Sequence, residues 1–108
     1  MGTPVRVLIL YDSPETSQLL VRELQRGGYE PLFERVASRE AMRQALSSGS
    51  WDVILSDYRL RDFDALAALA LLKESELDIP LLVVCAGIGE ETAVRLIKAG
   101  ATNCIPLN

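Results

Sequence analysis

The sequence predicts an α/β fold built on a doubly wound parallel sheet. Strand-like and helix-like periods alternate along the whole chain, and the connections between them are short. One strand, "IPLLVVCA" (79–86), is apolar without alternation, as a strand covered on both faces must be. Right-handed crossovers then put helices on both sides of the sheet.

Each element has its own signal. "VRVLIL" (Val5–Leu10) reads as a buried first strand. Ser13, Pro14 and Glu15 follow as N-cap, first helical residue and first-turn acid. The helix they open buries Leu19, Leu20 and Leu24 and stops at Gly27-Gly28. "EPLFERV" (30–36) alternates as a half-buried strand near a sheet edge, with Pro31 at its start. Ser38 caps a second helix running to about Ser47, with Ala41, Met42, Ala45 and Leu46 inward. Asp52–Ser56 is the third strand, and Ala65–Leu72 is an alanine-rich helix suited to close packing on a sheet. After the apolar fourth strand, Glu90–Lys98 forms a helix that Gly100 ends, and "TNCIP" (102–106) is a short fifth strand.

Size and composition narrow the function. At 108 residues the chain makes one domain, residues 1–108, with enough apolar content (49%) for a single core. The formal charge of −4 and the lack of a basic cluster argue against nucleic-acid binding. No apolar run reaches the roughly 18 residues of a membrane span, and no signal-peptide pattern opens the chain, so it reads as cytoplasmic. The absence of histidine removes imidazole as base, metal ligand or phosphoryl carrier, and with it most hydrolase mechanisms. Cys85 and Cys104 stand in strand-like contexts without a CxxC partner and read as free thiols of a reducing compartment.

Chemistry in such sheets collects at the carboxyl ends of the strands. Asp12 follows strand one, Asp57 follows strand three, and Cys85 ends strand four. If strands one and three are neighbours, the two carboxylates meet at one rim. Like charges held that close raise at least one pKa unless a cation neutralises them. Two carboxylates and a carbonyl from the Arg59 turn suit Mg²⁺, which keeps several of its waters. Two other motifs carry less. "GIGEET" (87–92) has Thr92 where a dinucleotide-binding loop has its third glycine, and it reads as a turn and helix start. The proline and acids of "YDSPETS" (11–17) would repel a flavin phosphate.

The stretches "VLILYDSP", "DVILSDYRL", "IPLLVVCA" and "IKAGATN" together resemble the receiver domains of two-component response regulators over nearly the whole chain. The resemblance implies a flavodoxin-like, five-stranded parallel sheet of order 2-1-3-4-5. It also implies that the family's last helix is missing here, the 108 residues being part of a longer protein. It further implies phosphoryl transfer from a kinase phosphohistidine to an aspartate, with Mg²⁺ as electrophile. By that likeness Asp57 is the phosphoacceptor, Asp12 a metal-binding acid and the Arg59 carbonyl a further ligand, while the donor histidine belongs to a histidine kinase or other signalling partner.

Six positions depart from the family's pattern, two of them being Arg61 for the usual proline after the acceptor turn and Ala65 for the small glycine nearby. Tyr11 stands where the first of two adjacent acids is usual, Cys85 replaces the hydroxyl residue of strand four, and Cys104 replaces the aromatic of strand five. Leu107 takes the place of the lysine that pairs with the phosphoryl group. Two acids still balance one divalent cation. The lost lysine removes a charge-assisted bond of about 1.5–3 kcal/mol, or roughly ten- to a hundredfold in rate if the contact forms only in the transition state. The resulting expectation is a degenerate site in a module acting mainly through protein contacts, against the alternative of a genuine Mg²⁺-dependent phosphoacceptor. Without the last helix, Val, Leu and Ile of strands one, four and five would line an uncovered face, which points either to a homodimer through the strand-four/strand-five side or to cover by the rest of a longer chain.

Overall fold

The computed structural model describes residues 2–84 and 90–105, with the side chains of residues 90 and 103–105 outside that description. Cys85 and Leu107 lie outside the described residues, as does the side chain of Cys104. The elements follow in the order β1 (Thr3–Leu10), α1 (Pro14–Arg26), β2 (Tyr29–Val36), α2 (Arg39–Ser48), β3 (Val53–Asp57), α3 (Ala65–Ser75), β4 (Leu81–Val84), α4 (Glu90–Lys98) and β5 (Asn103–Ile105). The four longer strands pair in parallel as β2-β1-β3-β4, and β5 pairs with β4. Among the described residues no helix is long and apolar enough to cross a membrane.

Side-chain oxygens set the helix starts. Ser13 Oγ accepts the Thr16 N–H (3.3 Å), Ser38 Oγ accepts the Ala41 N–H (3.1 Å), and Asp64 Oδ1 accepts the Ala67 N–H (2.9 Å). Asp62 Oδ2 adds a bond from the Arg39 N–H (2.9 Å), which ties the start of α2 to the loop after β3. α1 ends at Gly27, and the following Gly28 has φ of +93°, which only glycine adopts without strain. α3 runs past Leu72 to Ser75 and closes on Glu76, a non-glycine residue at φ +59°.

Two apolar layers sandwich the sheet. On one face Leu8, Leu10, Ile54, Leu81 and Val83 pack with Met42, Ala45 and Leu46 of α2 and with Ala65, Ala68, Leu69 and Leu72 of α3. Trp51 packs against this layer, and its indole Nε1–H donates to the Ala45 carbonyl at 2.9 Å. On the other face Val7, Ile9, Tyr11, Leu55 and Val84 meet Leu20 and Val21 of α1. Exposure on this second face is less than expected: Leu55 and Val84 are buried, while Val5, Val53 and Leu82 are half-buried.

Two expectations need correction. Leu19 is 51% exposed, because the inward stripe of α1 is Ser17, Leu20, Val21 and Leu24, and Leu19 falls beside it. β2 is not half-buried: of its residues only Val36 is buried, and Leu32 and Phe33 face solvent. An edge strand has one neighbour, so its apolar positions lack cover on the outer side. The Gly28 and Val36 carbonyls accept from the Thr3 and Tyr11 N–H groups, so even-numbered residues of β2 bond to β1 and odd-numbered ones face the open edge. Pro31 is one of these, and it removes a donor from the open edge.

Candidate functional site

The site is built where β1 and β3 end. Leu10 is paired with Ser56, so the residues that follow them leave the sheet side by side. Asp57 is the last residue of β3, one position later than expected, and Asp12 lies two residues beyond the end of β1. Both are half-buried. The buried Ser56 hydroxyl donates to the Asp57 carbonyl (2.8 Å), so this hydroxyl is satisfied inside the core.

Asp57 is the carboxylate whose ionisation its surroundings disturb. Burial pushes the Asp57 carboxyl above the ordinary carboxylate value, and the negative charge of Asp12 pushes it the same way. The backbone N–H groups of Tyr58 and Arg59 pull it back by bonding to the ionised form. The net direction is upward. A cation between these acids would reverse it.

A tight loop fixes what surrounds Asp57. The Ala65 N–H bonds to the Tyr58 carbonyl and the Leu60 N–H to the Phe63 carbonyl, each at 2.8 Å, while buried Leu60 and Phe63 anchor the loop in the core. Neither bond uses the Arg59 carbonyl, the third oxygen expected at the rim. The Arg59 guanidinium lies over the Tyr58 ring, 5.8 Å from its centroid.

Asp12 is held from two sides. Its Oδ2 accepts the Arg61 N–H at 2.9 Å. The Arg35 Nη1–H donates to the Tyr11 carbonyl (3.0 Å) and the Asp12 carbonyl (3.3 Å). Sequence reasoning missed Arg35 and had Arg61 only as a departure from the family's usual proline. Strand alternation gives the face of Arg35 but not the reach of its side chain across to the neighbouring strand. Tyr11 is 4% exposed and packs in the α1-side core with Val7, Ile9, Leu20 and Val21. Among the described residues no three His, Cys, Asp or Glu side chains converge on one point. An open groove of about 540 Å³ between the C-terminal turns of α2 and α3, lined by Arg43, Leu46, Leu71 and Glu74 among others, lies at the opposite end of the sheet.

Comparison with known proteins gives a consistent picture. Residues 7–106 match the response regulator receiver domain family. The chain is 31% identical over 97 residues to the two-component response regulator ORR25 of Oryza sativa subsp. japonica, covering 90% of this chain and 14% of that protein. It spans between 14% and 22% of the length of this and the next curated relatives. Among solved structures, the signal receiver domain of a LuxO repressor protein from Vibrio parahaemolyticus superposes with a TM-score of 0.82 at 21% identity, covering 97% of this chain and 81% of that one. The receiver domain of a sensor histidine kinase from Pseudomonas aeruginosa PAO1, described with magnesium in its active-site cleft, superposes with a TM-score of 0.74 at 19% identity, covering 98% and 85%. Both likenesses concern the fold.

Proposed function

The chain belongs to the response regulator receiver domains of two-component signalling, and from that premise we propose that it works mainly through contacts with signalling proteins, over a weakened phosphoacceptor site. The observation that carries this reading is the placement of Tyr11. A residue buried in the α1-side core is committed to packing and offers no carboxylate to the rim. Leu107 in place of the lysine weakens the site further, by the sequence argument above.

Asp57 is the proposed acceptor. It ends a central strand beside Asp12, and burial above all, with the charge of Asp12 adding to it, holds its carboxyl above the ordinary value. Asp12, Asp57 and the Arg59 carbonyl would hold Mg²⁺, which supplies charge neutralisation when bound. One oxygen of Asp12 is already engaged by the Arg61 N–H, leaving Oδ1 for a metal. Such a thin donor set predicts affinity in the millimolar range or weaker, abolished by Asp12→Asn. The domain is proposed as one part of a longer protein, in keeping with the lengths of its relatives.

Incubation with Mg²⁺ and acetyl phosphate, followed by intact mass measurement, tests both halves of the proposal. A slow, incomplete phosphoryl adduct that disappears in Asp57→Ala is expected. Rapid, complete labelling would favour a fully working phosphoacceptor. An adduct that persists in Asp57→Ala would end the assignment of that residue.

A further inference from the structure

We infer that Arg35 is a positioning residue for Asp12, setting from the neighbouring strand where the Asp12 carboxylate projects. Its Nη1–H groups bond to the carbonyls of Tyr11 and Asp12, at 3.0 and 3.3 Å. These oxygens belong to the peptide planes on either side of the Asp12 Cα. Fixing the first plane restrains φ of Asp12, and fixing the second restrains ψ. The last bond of the β1–β2 ladder is the one from the Tyr11 N–H to the Val36 carbonyl, at 3.2 Å. Asp12 therefore sits just past the point where the sheet stops holding the chain, and Arg35 extends that hold by one residue.

The consequence reaches the rim through a bond already present. With its backbone fixed, Asp12 presents Oδ2 to the Arg61 N–H at 2.9 Å, which joins the loop after β1 to the loop after β3. Arg35, Asp12 and Arg61 thus form a chain of contacts across three strands, all at the carboxyl end of the sheet. Arg35 is a strand residue, so its Cα is fixed by pairing with Ile9. A guanidinium offers five N–H donors in a rigid fork and stays charged at any working pH, which suits it to gripping two carbonyls at once.

Positioning and charge make opposite predictions. If Arg35 acted only as a nearby positive charge, its removal would strengthen cation binding. If it positions Asp12, removal weakens binding, because the carboxylate loses its orientation. This inference rests on the proposed role of Asp12 as a Mg²⁺ ligand, and two readouts keep the failures apart. The first is Mg²⁺ titration of the wild type, Arg35→Gln and Arg35→Lys by NMR or calorimetry. The second is amide hydrogen exchange at Arg61 in metal-free buffer, which needs no metal at all.

The expected result is a roughly tenfold loss of Mg²⁺ affinity in Arg35→Gln, the lower end of what supporting residues around metal ligands usually supply. Arg35→Lys, which keeps the charge and one donor, should recover part of it. Arg61 exchange should accelerate in Arg35→Gln while the urea midpoint changes little. Tighter Mg²⁺ binding in Arg35→Gln, or unchanged Arg61 exchange, would overturn the inference. Wild-type protein that binds no Mg²⁺ but shows the Arg61 effect would defeat only the metal role of Asp12.

Discussion

Because burial and the charge of Asp12 both disfavour ionised Asp57, this residue lowers stability wherever it must carry its charge. A carboxyl whose folded pKa is raised binds more protons in the folded state than in the unfolded one, so stability falls as pH rises through the window between the two values. Asp57→Asn keeps an oxygen for the Tyr58 and Arg59 amides and removes the charge. In metal-free buffer at neutral pH it should raise the urea midpoint, and the gain should fade as pH falls through the carboxylate range. A midpoint that does not rise at neutral pH would mean that the two amides outweigh burial. At this scale the sequence was readable where position alone sets the chemistry: Asp12 and Asp57 follow strand ends. It was silent on Arg35 and gave Arg61 only as a departure from the family's proline, because the roles of both depend on distances between strands that no local pattern encodes.

Glu76 marks where an element ends against its own preference. It closes α3 at φ +59° and ψ +21°, a conformation that costs a residue with a Cβ roughly 1–2 kcal/mol. Its backbone N–H reaches the Lys73 carbonyl at 3.1 Å, so the backbone geometry itself is what the cap needs. Glu76→Gly should therefore stabilise the domain by about 1 kcal/mol, net of glycine's greater freedom in the unfolded chain, as read from the urea midpoint. A loss of stability would show that the Glu76 side chain makes a contribution of its own. The helix ends with glycine were legible for the same reason that this one was not: the Gly27-Gly28 pair announces a stop, whereas glutamate ordinarily continues a helix. The exposure of β2 was hidden too, because "EPLFERV" alternates like any half-buried strand and only its place at the edge strips the cover away.

Taken whole, the molecule keeps two apolar layers around one sheet, and its outer surface is uneven. Val94 and Ile97 of α4 are 51% and 43% exposed, and α4 packs against β5. Exposed apolar side chains grouped on one side favour association, and we expect self-association through the strand-four/strand-five side. Sedimentation at tens of micromolar should show dimers, and Val94→Glu with Ile97→Lys should return the monomer. A strictly monomeric wild type that binds no hydrophobic dye would refute this. The layered architecture was legible from alternation and from the unbroken apolar run of the fourth strand. The degree of cover over Leu55 and Val84 was not, since it depends on how far α1 and Tyr11 extend across the neighbouring strands.

The indole of Trp51 has a use that follows from its place. It is the chain's single tryptophan, bonded to the Ala45 carbonyl at the C-terminal end of α2 and just ahead of β3. Five residues of nearly extended chain separate it from Asp57, a span of roughly 20 Å. Its fluorescence therefore reports whether α2 is docked on the sheet, and it is screened by distance from events at the acidic rim. Tyr58, next to Asp57 and stacked beneath Arg59, is the chromophore placed to report there. Trp51 and Tyr58 thus flank the two ends of one strand, and with Tyr11 and Tyr29 replaced by phenylalanine they would report unfolding and any cation binding separately.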